Sequence, residues 1–241
     1  MKYLLFLLIT FATFAQNPAI KIEIDSVTSV DSIPTERKFT INYHIENLTN
    51  KEVHFFLNPT ILIPNSRASM SKNVIYNLYE HEEKLDLDDV FTNKKMADYE
   101  KKTQSANSDT ERNKLLNDFL KNEGISLDSI IKDTKDGKEI DNYFLNKNNK
   151  ELLKSIIKLA PKEVKRYSIS TIWNKTRYYK IDDIEFYLNE DFPHYIDLSI
   201  NLMKEEFKDH LTSDEYQKII ANPNFIKGWF TSNKMEINFK E

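Results

Sequence analysis

Apolar and polar residues alternate with a period of two through several stretches of this chain, the pattern of strands that bury one face and leave the other to water. In AIKIEIDSV, Ile20, Ile22 and Ile24 fall on one side and Lys21, Glu23 and Asp25 on the other. KFTINYHIEN places Phe39, Ile41, Tyr43 and Ile45 inward and Thr40, Asn42, His44 and Glu46 outward. HYIDLSINL repeats the pattern with Ile196, Leu198, Ile200 and Leu202, and KMEINFKE with Met235, Ile237 and Phe239. Val53, Phe55 and Leu57 mark another strand, as do Tyr167 and Ile169. Weaker candidates at 74–79, 184–188 and 228–231 bring the set to about eight or nine strands, enough for two packed sheets. One polar face per strand predicts antiparallel pairing, because parallel strands are covered on both faces and read as continuous apolar runs.

The middle of the chain follows a different rule. From Glu80 to Lys158, 33 of 79 residues are charged, against 39 of the other 162. Its periodicity is helical. Ser108 and Glu111 have capping-box spacing, Leu115, Leu116, Phe119 and Leu120 share a face, and Gly124 stands just past the end. A second helix is predicted from about Asn149 through Leu152, Leu153, Ile156 and Ile157, stopping before Pro161. ISLDSIIKD has the pattern of a short helix and KDTKDGKEIDN that of a turn-rich loop. The apolar stripes of both long helices are expected to be buried. Further on, Thr212 and Glu215 form another capping box, with Leu211 and Tyr216 placed as a hydrophobic staple.

Three segments, INYHIENLTNKEVHFF read as a hairpin, LAPKEVKRYSIS leading into a later strand, and the ending GWFTSNKMEINF, resemble secreted bacterial proteins with immunoglobulin-like β-sandwich domains. The resemblance covers the flanks, about 20–79 and 164–239, and implies a sandwich that serves as a binding or accessory module. The expected fold is therefore mainly β with an α insertion: an antiparallel immunoglobulin-like β-sandwich interrupted by a helical block. The expected division is a signal peptide at 1–15, the first part of the sandwich at 16–79, a charged helical insertion at 80–160, and the second part at 161–241 with one short helix.

The signal is MKYLLFLLITFATFA, in which Lys2 precedes an apolar run and Thr13 and Ala15 have the spacing of a cleavage site. The run is shorter than the roughly 20 residues that span a bilayer. Cleavage near Ala15 predicts a secreted or periplasmic protein with no transmembrane segment in its mature chain. Loss of Lys2 leaves 33 basic against 38 acidic residues, a balance without general attraction to nucleic acid. The chain has no cysteine, which excludes a disulfide framework, a thiol nucleophile and a cysteine zinc site. Only three glycines occur, and there is no glycine phosphate loop, dinucleotide fingerprint or G-x-S-x-G elbow. No cofactor, metal site or catalytic residue is expected.

Candidate chemistry is sparse. On a hairpin turning at 47–52, His44 and His54 would share a face with Glu46, within reach of one metal ion. No close three-ligand motif accompanies them, and the sequence favours two solvent-facing strand residues. HEEKLDLDD gathers His81, Glu82, Glu83, Asp86, Asp88 and Asp89 without the spacing or glycine of a calcium loop. His194 and His210 have no nucleophile beside them in sequence. Asp182, Asp183 and Glu185 are the tightest carboxylate trio outside the insertion, and a carboxylate hydrolase is a further alternative. In TIWNKTRYYKI, Trp173, Asn174, Arg177, Tyr178 and Tyr179 combine aromatic faces with an amide and a guanidinium, a set suited to carbohydrate, although Trp173 also continues an inward series. Asp-Ser-Val or Asp-Ser-Ile at Asp25, Asp31 and Asp128 resembles a serine-glycosylation acceptor, and Asn47 and Asn174 head Asn-x-Thr sequons. The leading expectation is a non-enzymatic binding or assembly module of the cell envelope, meeting an envelope protein through the insertion. A glycan held around Trp173 is the alternative.

Overall fold

A computed structural model describes residues 18–65, 72–85, 87, 90–92, 99, 102–122, 149–176, 179–181, 184–186 and 188–240. The leader at 1–15, ISLDSIIKD and KDTKDGKEIDN lie outside them. The fold is mainly β. In chain order the strands are β1 (Ile20–Ile33), β2 (Glu36–Asn47), β3 (Val53–Phe56), β4 (Asn58–Pro64), β5 (Asn73–Glu80) and β6 (Glu83–Leu85). After α1 (Asp109–Asn122) come β7 (Ile156–Leu159), β8 (Val164–Asn174), β9 (Tyr179–Ile181), β10 (Ile184–Phe186) and β11 (His194–Leu202). A 3-10 helix (Glu205–His210), α2 (Ser213–Ala221), β12 (Gly228–Thr231) and β13 (Met235–Ile237) follow.

Two open sheets dominate. The first has the order β1-β2-β8 and is antiparallel throughout. The second has the order β12-β11-β5-β4, with β13 on β11 and β6 on β5. Here β4 pairs parallel to β5, against the antiparallel expectation. Pro59 and Pro64 remove two N–H donors from β4, which confines it to the sheet's end. Two ribbons, β3 with β7 and β9 with β10, complete the strand pairing.

The alternation works as read in the first sheet: Ile20, Ile22, Ile24, Phe39, Ile41, Tyr43, Ile45 and Ile169 are all buried. They join Val74, Tyr76 and Leu78 of β5 and Ile196, Leu198, Ile200 and Leu202 of β11 in one core. Each such side chain contributes roughly 1.5–3 kcal/mol of transfer free energy. The central strands β5 and β11 are covered on both faces, so Asn77, Asp197 and Ser199, outward by pattern, are also buried.

The break at Asn47 is a corner between sheets, not a hairpin turn. Strand β2 pairs with β1 and β8, whereas β3 pairs with β7. Wholly buried Asn47 holds the corner. Its Nδ2 donates to the carbonyls of Lys51, Leu159 and Ala160 at 2.7, 3.2 and 2.9 Å, and its Oδ1 accepts from the N–H and hydroxyl of Thr49.

The second long helix is likewise corrected. Only 149–154 is helical, and Ile156–Leu159 is strand β7. A short apolar run fits either period. Pairing Ile156 and Ile157 with Phe56 and Phe55 gives these β-branched residues a strand's neighbours. Leu152, Phe56, Met203, Phe207, Leu211, Ile219 and Phe225 form a second, smaller core. α2 starts at the predicted box, in which the Thr212 hydroxyl accepts the Glu215 N–H and the Glu215 carboxylate accepts the Thr212 N–H. Leu211 and Tyr216 both pack into the smaller core, as the staple requires. α1 begins where the other box places it, although Glu111 reaches the N–H of Asn107 rather than that of Ser108.

Candidate functional site

The corner at Asn47 separates the two histidines that a hairpin would have joined. His44, on β2, places Nδ1 2.7 Å from Asp25 Oδ1 and Nε2 3.9 Å from Glu23 Oε2, both across the pair with β1. His54, on β3, places Nε2 2.5 Å from Glu52 Oε1 and Nδ1 3.2 Å from the amide of Asn222. Each is braced by its own neighbours, and among the described residues no three histidine or carboxylate side chains are grouped to hold a metal ion. In HEEKLDLDD, His81 takes a left-handed φ of 53° at the tip of the β5–β6 hairpin and packs at a tilt against Phe192, 4.9 Å between centroids. Glu82 and Glu83 are exposed there, and Asp86, Asp88 and Asp89 lie outside the described residues.

Trp173 is 2% exposed and packs edge-on against Phe239, 4.8 Å between centroids. Its ring offers no face to a sugar. Asn174 is exposed, and its Oδ1 accepts the N–H and hydroxyl of Thr176 at the end of β8. Tyr179 begins β9, and Arg177 and Tyr178 lie outside the described residues. Of the carboxylate trio, Glu185 lies on β10 and Asp182 and Asp183 fall outside. The sequon at Asn47 is closed to modification because its amide is fully buried and bonded. Ser26 accepts a hydrogen bond from Asn42, and Ser32 lies exposed near the tip of the first hairpin.

Three polar constellations emerge that no motif marked. In the first, Asp197 accepts Asn77 Nδ2 at 2.6 Å and the Tyr79 hydroxyl at 2.7 Å. Burial, reinforced by that carboxylate, pushes the Tyr79 phenol up to about 12, and Lys234 Nζ stands 3.6 Å over its ring. Ser199 bonds to Thr231 at 3.0 Å on the next pair of strands. The set holds a carboxylate between two donors, and Ser199 is bonded to a hydroxyl rather than to a base. Its sequence signal is faint: polar residues at alternate positions of β5 and β11 that read equally well as a wet face.

In the second, Arg37 is 6% exposed and grips Asp31 through Nε and Nη2 at 2.6 and 3.1 Å. Its Nη1 donates to the carbonyls of Asn238 and Lys240 at 3.1 and 2.6 Å, and Lys175 Nζ reaches Asp31 at 3.1 Å. Hydrogen bonds from Arg37, then from Lys175, hold the Asp31 carboxyl far below the usual carboxylate range. The third is His194, 1% exposed against Phe239, with Nε2 3.6 Å from Glu80 Oε2. Burial lowers its pKa despite that carboxylate. The first two constellations brace strands and the C-terminal segment, and the third buries an imidazole against Phe239.

No family model matches the chain, and neither a curated protein nor a solved structure shows a significant match to it. No helix among the described residues is long and apolar enough to cross a membrane.

Proposed function

We propose that this chain is an exported, non-enzymatic binding or assembly module of the cell envelope, an immunoglobulin-like β-sandwich whose helical insertion contacts a protein partner. The leader pattern supports export, to the periplasm or beyond the cell. α1 supports the contact surface. Within the described side chains of α1 none is buried: Leu115 and Phe119 are half-buried and Leu116 is 38% exposed. A helix whose apolar stripe is left partly exposed offers a groove-binding element, since amphipathic helices dock by that stripe. Acidic residues in its first turn and Lys121 in its last complement the helix dipole, and Phe119 packs on Tyr99 at 4.6 Å.

The test is a photo-crosslinking residue at position 116 in the protein expressed in its native envelope. A single protein adduct, reduced at least tenfold by Lys114→Glu with Lys121→Glu and not by changes on β8, supports the reading. An adduct yield that the two charge reversals leave unchanged removes it.

A further inference from the structure

A pocket of about 380 Å³ opens where the β3–β4 junction, the short helix at 149–154, β7 and the start of β8 meet. That volume falls within the roughly 300–1,000 Å³ of small-molecule sites. Leu57, Pro59, Ile157 and the Tyr167 ring give it apolar walls, and Asn58, Glu151 and Lys154 give it polar ones. These walls are pinned by bonds of their own. The Leu57 N–H donates to the Ser155 carbonyl at 2.9 Å, the Asn58 N–H to the Lys72 carbonyl at 2.6 Å, and the Tyr43 hydroxyl to the Pro59 carbonyl at 2.6 Å. Tyr43 in turn packs on Tyr167, 5.4 Å between ring centroids.

The charges around the pocket do not close on one another. Lys165 is engaged, because its Nζ donates to the Lys158 carbonyl at 2.9 Å and stands 3.9 Å from Glu163. The Lys72 and Lys154 side chains make no hydrogen bond or ion pair among the described residues. Lys72 is half-buried beside Asn58; burial lowers its pKa, while Glu151, beyond ion-pair distance, raises it. An ammonium drawn out of water without a counter-charge is unfavourable, and an anion supplied from outside relieves it. Asn58 gives one amide N–H to Asn73 Oδ1 at 3.1 Å and keeps the other. Two unpaired ammonium groups and an amide donor thus flank an apolar pocket, in a chain whose acidic residues outnumber its basic ones.

We propose that this pocket binds a small organic anion, an apolar or aromatic body packed on Pro59, Ile157 and Tyr167 with one carboxylate held by Lys72, Lys154 and Asn58. Glu151 offsets one of the two ammonium charges, which leaves a balance suited to a monoanion rather than to a phosphate ester of charge about −2. The apolar walls ask for a body as well as a charge, so a bare inorganic ion fits poorly. A free carboxylic acid and the C-terminal residue of a peptide both present this chemistry. The pocket shares no residue with α1, so the two surfaces can fail independently.

The probe is hydrocinnamate, compared with its neutral amide and with N-acetylphenylalanine as a stand-in for a peptide C-terminus. Methyl and ring resonances of the full protein are followed by NMR titration. The expected result is a saturable shift at Leu57, Ile157 and Tyr167 with either acid, the tighter of the two naming the source, and binding at least fivefold weaker for the amide. Lys72→Met with Lys154→Met should weaken both acids at least fivefold and melt no lower than the parent, since it keeps both stems and removes an unpaired, half-buried charge. Glu151→Gln should tighten them, because a like charge is gone. The comparison of acid with amide uses the unaltered protein and does not depend on any variant. No saturable shift at millimolar acid, equal binding of acid and amide, shifts confined to other residues, or a double variant that binds like the parent overturns the proposal.

Discussion

Asp197 and Asn77 face each other across the β5–β11 pair, and the carboxylate accepts the amide at 2.6 Å in a place where Asp197 is 3% exposed. A carboxylate so deep is kept by its donors, Asn77 and Tyr79. Asp197→Ala leaves both without an acceptor and is expected to cost about 3 kcal/mol, from roughly 1.5–3 kcal/mol per hydrogen bond to a charged group. Urea unfolding at neutral pH measures this. A loss under about 0.5 kcal/mol, the size of a surface change, would show that water replaces Asp197 freely.

Asn47 makes an asymmetric demand. Three carbonyls need its amide N–H groups and Thr49 needs its oxygen. Asn47→Asp keeps the shape and loses the donors, so it should destabilise by about 2–4 kcal/mol, as much as or more than Asn47→Ala. Thermal melts of the two variants side by side test the order; an aspartate that melts like the parent would contradict the donor assignment.

Strong acid should loosen the C-terminal residues. Asp31 has a depressed pKa in the folded state, so its contribution is complete above the ordinary carboxylate value near 4 and is lost as pH falls below that towards the folded value. Protonation withdraws the partner that orients Arg37, whose other contacts are the carbonyls of Asn238 and Lys240. Amide protection at 237–240, corrected for the intrinsic pH dependence of exchange, should fall in the parent only well below pH 4, as the folded Asp31 takes up its proton, and at all pH values in Arg37→Ala. Exchange in Arg37→Ala equal to the parent's would mean that the tether does no holding.

His194 gives a second pH dependence, in a higher window. Its folded pKa is lowered, so stability is complete above the unfolded value of about 6.5 and declines as pH falls through the folded value. Glu80 and His81 are the titratable groups beside it. Between pH 7 and 5 the parent's melting temperature should fall more than that of His194→Leu. Parallel curves for the two proteins would exclude His194 as the source.

Trp173→Ala tests the aromatic patch directly. Removing a core indole packed on Phe239 should cost about 3–5 kcal/mol. Calorimetry with soluble oligosaccharides on the milder Trp173→Phe variant separates packing from recognition: unchanged sugar binding there would locate any glycan contact beyond residue 173.

Period-two alternation found β1, β2 and β8 because each has a single well-marked core face, and β11 because its second face, though covered, is polar in sequence. It failed at β4 and β6, which are short or interrupted by proline, and at β7, where Ile-Ile-Lys-Leu fits helix and strand alike. Partner choice was the larger gap. INYHIENLTNKEVHFF contains two strands and a break, but nothing local shows that Asn47 will bond to Leu159 and Ala160, more than a hundred residues on. The caps at Ser108 and Thr212 were readable since both partners of each lie within one turn. The polar constellations were not, because residues such as Asp197 and His194 become buried only when distant strands cover them.

The tether from Arg37 to Asn238 and Lys240 also bears on synthesis. A ribosome emits the β1–β2 hairpin roughly two hundred residues before the carbonyls that complete its guanidinium, and β8, the hairpin's neighbour in the sheet, also comes late. Until then the nascent hairpin has two bare edges and an arginine half provided for. Folding of this sheet therefore rests on contacts of high sequence separation, slow by nature, and the arginine's shell is complete only when residues 238–240 dock.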